Sequence, residues 1–166
     1  MNEDKAKKTL EKRELAHRAA PSASTANSLA WFLLMAPSSL RDDTRALELA
    51  EQSFSQKVGS KSLVRNTLGM AYYRVGKFEQ AIATLNDNLV ESGDRDLPLD
   101  LFVLSLSHAG LGDLVSARNY FQLGDRWMRN PTEQVRISQR KSMELKSIRE
   151  SAAAALNALE STSDAK

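Results

Sequence analysis

The sequence predicts an all-α protein in which helical hairpins stack on one another and a final helix caps the stack. Apolar residues recur at helical spacing along most of the 166 residues, and no segment alternates in the manner of a strand. One pattern of large and small residues also occurs three times. Its small residue is Ala46, Ala81 or Ala117, at intervals of 35 and 36 residues. A period of this length indicates an array in which neighbouring hairpins cover one another.

Four segments follow from the pattern. Residues 1–22 are a charged N-terminal helix or linker, 23–130 the repeat array, 131–160 the capping helix, and 161–166 a disordered tail. The predicted helices, in order, span residues 3–19, 24–36, 43–57, 61–75, 78–91, 98–110, 114–129 and 132–160.

The N-terminal helix has only a thin apolar stripe, formed by Leu10 and Leu15 among interspersed Lys and Glu residues. The first hairpin that follows carries a weak copy of the pattern, with Leu29 and Ala30 in its first helix and Ala46 in its second. An insertion at residues 37–42 lengthens its turn and leaves both helices intact.

The second hairpin carries the clearest copy. It reads Arg65-x-x-Leu68-Gly69-x-x-Tyr72, then a Gly-Lys turn, then Ala81-x-x-x-Leu85. Gly69 and Ala81 are small where the helices are expected to cross, because packed helix axes lie only ~8–10 Å apart.

The third hairpin repeats these landmarks with conservative changes. It reads Leu101-x-x-Leu104-Ser105-x-x-His108, a Gly-Leu-Gly-Asp turn, and Ala117-x-x-x-Phe121. After it, an Asn-Pro-Thr-Glu sequence at residues 130–133 predicts the start of the capping helix, because Asn can cap and Pro suits a first helical position.

This spacing resembles the tetratricopeptide repeat family, whose period is ~34 residues, with Arg65 in place of the leading Trp. The resemblance spans about Thr25 to Arg129, and the long first turn is similar to that of arrays attached to larger bacterial proteins. It implies a right-handed solenoid of about three hairpins that acts as a protein-interaction scaffold. The simpler alternative is an ordinary helical bundle whose small residues coincide.

In the family, partner segments lie in the concave groove formed by the first helix of each hairpin. The positions that match this groove predict a partner-binding set of Asn27, Trp31, Met35, Asn66, Met70, Tyr73, Arg74, Phe102 and Leu106. Some members hold a terminal carboxylate with Lys, Asn and Arg on this face. The matching positions here are Asn27, Trp31, Thr67, Leu99 and Val103, so that clamp is not expected.

Two alternatives stay open for these residues. Trp31, Leu34, Phe102 and Leu106 could be core side chains or be covered by the N-terminal helix. Separately, the chain could be a structural or self-association module of a larger protein, with its groove filled by a segment of its own or by a second copy in a homodimer.

Composition argues against other classes of function. The chain has two histidines, no cysteine, no phosphate loop and no nucleophile motif, so neither catalysis, a cofactor nor a metal site is predicted. A net charge of +2 is too small to indicate nucleic-acid binding. The longest apolar run, Leu29–Ala36, is too short for a membrane span. With a charged N-terminus unlike a secretory leader, the chain is expected in the cytoplasm.

Overall fold

The structure is a computed structural model that describes residues 2–56, 61–92, 97–130 and 138–163. Within these ranges the chain is helical and contains no β-strand, which confirms the all-α class. The helices are α1 (Glu3–Ala19), α2 (Ala23–Met35), α3 (Asp43–Ser55), α4 (Lys61–Arg74), α5 (Phe78–Ser92), α6 (Leu97–Gly110), α7 (Leu114–Met128) and α8 (Gln139–Ser163), and a 3-10 turn spans Ser38–Leu40. None of the described helices combines the length and apolar composition needed to cross a bilayer.

The predicted boundaries need correction at the C-terminal end. Helix α8 continues to Ser163, so residues 161–163 are helical rather than part of a disordered tail. The start of this helix is predicted at residues 130–133, of which residues 131–133 lie outside the described ranges. Residues 164–166 lie outside them as well.

Helices α2 to α7 pack in chain order as three hairpins. Within the hairpins α2 contacts α3, α4 contacts α5, and α6 contacts α7. Between hairpins, α3 packs on α4 and α5 on α6, and the first helices α2, α4 and α6 also touch in that order. Each hairpin therefore shares its apolar surface with the next one.

The crossing of α4 and α5 depends on the absence of a side chain at one position. A Cβ atom on Gly69 would lie 2.5 Å from Cγ of Leu85, which is itself completely buried. Ala81 is also fully buried. This confirms the prediction that Gly69 and Ala81 lie where helices touch. In the third hairpin a Cβ on Gly124 would meet the ring of Phe102 at 2.8 Å.

The turns of the second and third hairpins have the same backbone conformation. Gly76 and Gly112 each adopt a φ of 77°, in the left-handed region that favours glycine. In the turn of the second hairpin, the Lys77 N–H donates to the carbonyl of Tyr72 at 2.9 Å. In the turn of the third hairpin, the Asp113 N–H donates to the carbonyl of His108 at 2.9 Å. The same local structure thus recurs after 36 residues.

Both helices of the first hairpin begin with side-chain caps. Ser22 and Thr25 form a reciprocal capping box at the start of α2, and Asp42 accepts the backbone N–H of Arg45 at the start of α3. Helix α1 packs on α2 through the fully buried Ala6, which joins Phe32 in a small apolar cluster. The predicted N-terminal helix is therefore docked on the first hairpin.

Helix α8 packs on α6 and, less extensively, on α7. Its buried residues Leu145, Ile148 and Ala152 belong to one continuous core with Phe102 and Leu106 of α6. We call the side of α2, α4 and α6 that faces α8 the inner face.

Candidate binding cavity

The inner face is covered by α8 over part of its length and is open over the rest. The open part is a cavity of about 350 Å³. It is bounded by all three first helices of the hairpins, by α1 and by the first turns of α8. Its lining residues are Arg13, Asn27, Ser28, Trp31, Leu63, Asn66, Thr67, Leu99, Ser138, Lys141, Glu144 and Leu145.

The structure separates the predicted partner-binding residues into three groups. Asn27, Trp31 and Asn66 line the cavity. Met70, Phe102 and Leu106 are buried in the core, at exposures of 3% or less. The remaining predicted residues are partly buried and do not line the cavity; they are Met35, Tyr73 and Arg74.

Phe102 was expected to anchor a partner, and the structure places it out of reach. Its ring lies 5.7 Å from that of Phe121, measured between centroids, and it fills the space left by Gly124. Met70 and Leu106 are part of the same core. The alternative that Phe102 and Leu106 are core side chains is therefore correct, and the helix packed on α6 is α8 rather than α1.

Asn66 was expected to bind polar groups of a ligand, but its amide is engaged inside the protein. Its Nδ2 donates to Oδ1 of Asp100 at 2.8 Å, and its Oδ1 accepts from Nδ2 of Asn88 at 3.1 Å. Asn88 also donates to Oδ2 of Asp100 at 2.7 Å. All three side chains are buried, so these hydrogen bonds compensate the loss of water around the carboxylate.

This polar network was not predicted from the sequence, although one residue in the sequence indicates it. Asp100 is the one carboxylate in the apolar run Leu97–Leu104. A charge in such a helix has to find buried donors, since an isolated buried carboxylate is strongly unfavourable. Asn88 of α5 is one of those donors.

Asn27, which lines the cavity, has an unused acceptor. Its Oδ1 is shielded from solvent and has no hydrogen-bond partner among the described residues. An unpaired buried acceptor costs ~1–3 kcal/mol, and a ligand that supplies an N–H or O–H would remove that cost.

Trp31 closes one side of the cavity through a contact with the last helix. Its Nε1 donates to Oε2 of Glu144 at 3.3 Å. Opposite, Arg13 of α1 donates from Nη1 to the carbonyl of Ser28 at 2.9 Å and also contacts the hydroxyl of that residue. The guanidinium lies 5.7 Å from the centre of the Phe32 ring. Arg13 and Glu144 were not predicted, because nothing in their local sequence distinguishes them from solvent-exposed charges.

Tyr73 and Arg74 lie at the C-terminal end of α4, away from the cavity. Burial raises the pKa of the Tyr73 hydroxyl, and its ring lies 6.1 Å from that of Phe78. Burial, together with the nearby positive charge of Arg41, lowers the pKa of the Arg74 guanidinium. These two residues therefore belong to a separate, partly buried region near the hairpin turn.

In the part of the chain that the structure describes, no cluster of three or more His, Asp or Glu residues is placed to hold a metal ion. Comparison of the chain with protein-family models, with curated proteins and with solved structures gave no match.

Proposed function

We propose that this chain is a protein-interaction module of the tetratricopeptide type, and that the cavity at its inner face receives a segment of a protein partner. One observation carries the proposal. The first helices of three successive hairpins converge on a cavity lined by Asn27, whose buried Oδ1 has no hydrogen-bond partner among the described residues.

Three features support a tetratricopeptide-type array. The hairpins pack in chain order, and glycine allows the helix crossing at Leu85. The left-handed turn glycines Gly76 and Gly112 recur after 36 residues, near the ~34-residue period of the family.

The chemistry of the lining favours a polypeptide with an apolar anchor. Trp31 and Leu99 supply apolar walls, and Leu63 is 52% exposed although it borders the cavity. A peptide offers an apolar side chain for these walls and a backbone N–H for Asn27.

Four of the five positions used by the carboxylate clamp in some family members line this cavity: Asn27, Trp31, Thr67 and Leu99. Trp31 and Leu99 carry no positive charge, so these two positions lack the cations of that clamp and instead offer apolar surface to a side chain of the ligand. The cavity thus lies at the location of the clamp but would bind an apolar side chain of the partner.

Selection of random linear peptides displayed on phage against the full chain tests the proposal. Selected peptides should share an apolar anchor. They should bind Leu63→Asp and Asn27→Leu at least about tenfold more weakly than the unmodified chain, a difference of ~1.4 kcal/mol. Val90→Asp is the matched control for Leu63→Asp, because Val90 is 86% exposed and does not line the cavity.

Far-UV circular dichroism and the melting temperature would show that each variant is folded. Equal binding of the peptides to all three variants would place the site elsewhere. Failure to select any peptide would also count against the cavity.

A structural module is the second candidate, and one specific observation favours it. Helix α8 occupies the inner face beside α6, as expected if the groove is filled by the chain itself. Sedimentation velocity separates the candidates. A concentration-independent monomer favours recognition of a partner at the cavity, whereas a tight dimer in which Trp31 becomes protected from solvent favours assembly.

A further inference from the structure

Arg74, the last residue of α4, is a partly buried cation without a partner. Its side chain forms no hydrogen bond or ion pair with any described residue, and its Nε is shielded from solvent. Other arginines of the protein contact a carboxylate; these pairs are Arg45 with Glu14, Arg65 with Glu91, Arg118 with Glu160, and Arg129 and Arg149 with Asp125. A buried group that lacks its usual partner calls for an explanation.

The packing of α3 on α4 brings a second arginine to the same place. Near the end of α3, the centre of the Phe54 ring lies 6.0 Å from the guanidinium of Arg65, in the first turns of α4. The two helices run antiparallel, so the start of α3 lies beside the end of α4. Arg41 and Asp43, at the start of α3, are therefore close enough to Arg74 for their charges to act on it.

Neither neighbour satisfies the guanidinium of Arg74. Arg41 is exposed, and its own contact is a long hydrogen bond from Nη2 to the carbonyl of Ala36 at 3.4 Å. Asp43 has the opposite charge but forms no ion pair with Arg74, and its Oδ1 is shielded from solvent without a hydrogen-bond partner in the described part of the chain. A donor group and an acceptor group thus stand near each other, both unused.

The charges at this place do not balance. Two guanidinium groups and one carboxylate leave an excess of one positive charge. Burial and the charge of Arg41 lower the pKa of Arg74, and the attraction of Asp43 offsets this only in part. A bound anion would relieve both the burial of an unpaired cation and the repulsion between the two arginines.

We propose that Arg41 and Arg74 form a binding site for one carboxylate group of a polypeptide partner, either an acidic side chain or a C-terminus. We call it the arginine site. Arginine donors in a planar fork match a carboxylate, and clusters of arginines are a recurring means of recognising acidic segments. A polypeptide also carries a backbone N–H beside its carboxylate, which suits the unused Oδ1 of Asp43.

The chemistry of the arginine site favours a carboxylate over a phosphate group. A carboxylate has one negative charge and neutralises the excess charge of the cluster. A phosphate group carries almost two at neutral pH, and the second would face the carboxylate of Asp43.

The arginine site goes beyond the proposed function, because it shares no residue with the cavity. Thr67 is the last residue of α4 that lines the cavity, and Arg74 follows it by seven positions, roughly 10 Å along the helix. The two sites can therefore be tested separately.

Nuclear magnetic resonance of the full ¹⁵N-labelled chain tests the arginine site, with sodium acetate as the probe. The side-chain Nε–H signal of Arg74, identified by its absence in Arg74→Lys, should shift with acetate and reach saturation. Sodium chloride at the same ionic strength should not reproduce the shift. Inorganic phosphate should bind more weakly than acetate, and tighter binding of phosphate would contradict the choice of a carboxylate.

Two variants with opposite expected effects test the assignment of residues. Arg41→Gln should weaken acetate binding about tenfold, because it removes a charged donor. Asp43→Asn should strengthen it, because it removes a negative charge beside the anion. Arg126→Gln is the matched control, since Arg126 is also an exposed arginine without an ion pair in the described ranges, and it should leave binding unchanged. Equal binding by all three variants would overturn the assignment.

Two short peptides distinguish the sources of the carboxylate. Acetyl-Gly-Glu-Gly-amide has only a side-chain carboxylate, and acetyl-Gly-Gly-Gly has only a terminal one. The peptide that binds more tightly than acetate identifies the source. If neither does, the site does not recognise a polypeptide and the proposal fails.

The melting temperature of Arg74→Met gives an independent test. Methionine keeps an apolar stem and removes a charge that has no partner, so this variant should melt no earlier than the unmodified chain and should not respond to acetate. A clearly lower melting temperature would show that Arg74 is held for stability, which contradicts the arginine site. Peptides selected for the cavity should bind Arg74→Met normally, so failure of one site is distinguishable from failure of the other.

Discussion

Leu85 occupies the space that a side chain at position 69 would need: a Cβ atom on Gly69 would lie 2.5 Å from Cγ of Leu85. Since Leu85 is completely buried, it has little room to move away. This relationship fixes the distance between α4 and α5, and with it the geometry of the second hairpin.

Gly69→Leu should therefore lower the free energy of unfolding by ~1–3 kcal/mol through overpacking. Gln80→Leu, at an exposed position of the same hairpin, is the control and should be nearly neutral. Urea unfolding curves measure both. Equal midpoints for the two variants would mean that the crossing adapts to a larger residue.

The two hairpin turns offer a test of backbone strain without steric conflict. Gly76 and Gly112 both have a φ of 77°, and no atom lies within 4 Å of a Cβ built on either residue. Alanine at either position should cost ~1–2 kcal/mol, because an L-residue is strained in the left-handed region. Asparagine should cost less, since it tolerates that conformation. In thermal unfolding of the four single variants, the two alanine variants should lose similar amounts of stability, and so should the two asparagine variants. Very different losses of stability at the two positions would argue against equivalent turns.

The buried polar network should be sensitive to the loss of one donor. Asn88→Ala removes the hydrogen bond to Asp100 and one to Asn66, and should cost at least ~1–3 kcal/mol because a carboxylate loses a partner in the interior. Asp87→Ala changes an exposed neighbour on the same helix and should have little effect. Guanidinium unfolding would distinguish the two, and a stable Asn88→Ala variant would show that the network is dispensable.

The cap of α7 predicts a pH dependence of stability. Asp113 accepts the Ser116 N–H at 3.0 Å, and hydrogen bonds from Ser116, supported by His108, lower the pKa of this carboxyl below its usual value. A lowered pKa means that the ionised group stabilises the fold above the unfolded-state pKa, and that this stabilisation is lost as the pH falls through the folded-state pKa.

Asp113→Ala should accordingly melt earlier than the unmodified chain at about pH 7, and the difference should shrink towards about pH 2. Asp113→Asn keeps a capping oxygen without a titrating charge, so its own cap should be independent of pH. A difference in melting temperature between the unmodified chain and Asp113→Ala that stays constant over this range would contradict the role of the ionised carboxyl.

The sequence by itself determined the helices and most of their contacts within hairpins. Period and spacing identify Gly69 and Ala81 as contact positions, because a helix crossing imposes a local rule on residue size. Turn glycines such as Gly76 were equally predictable from the sequence, since the left-handed backbone conformation favours glycine. Both kinds of signal arise from neighbours that are close along the chain.

Only the tertiary structure decided which parts of the inner face are open. The sequence could not distinguish Leu106, which is buried, from Trp31, which lines the cavity, because both occupy matching positions of similar helices. The difference in their exposure depends on α8, whose residues are distant in sequence. The sequence pattern of α8 predicts an apolar stripe but does not indicate which surface that stripe contacts. Accessibility depends on such long-range packing, so the cavity is defined only once every helix has been placed.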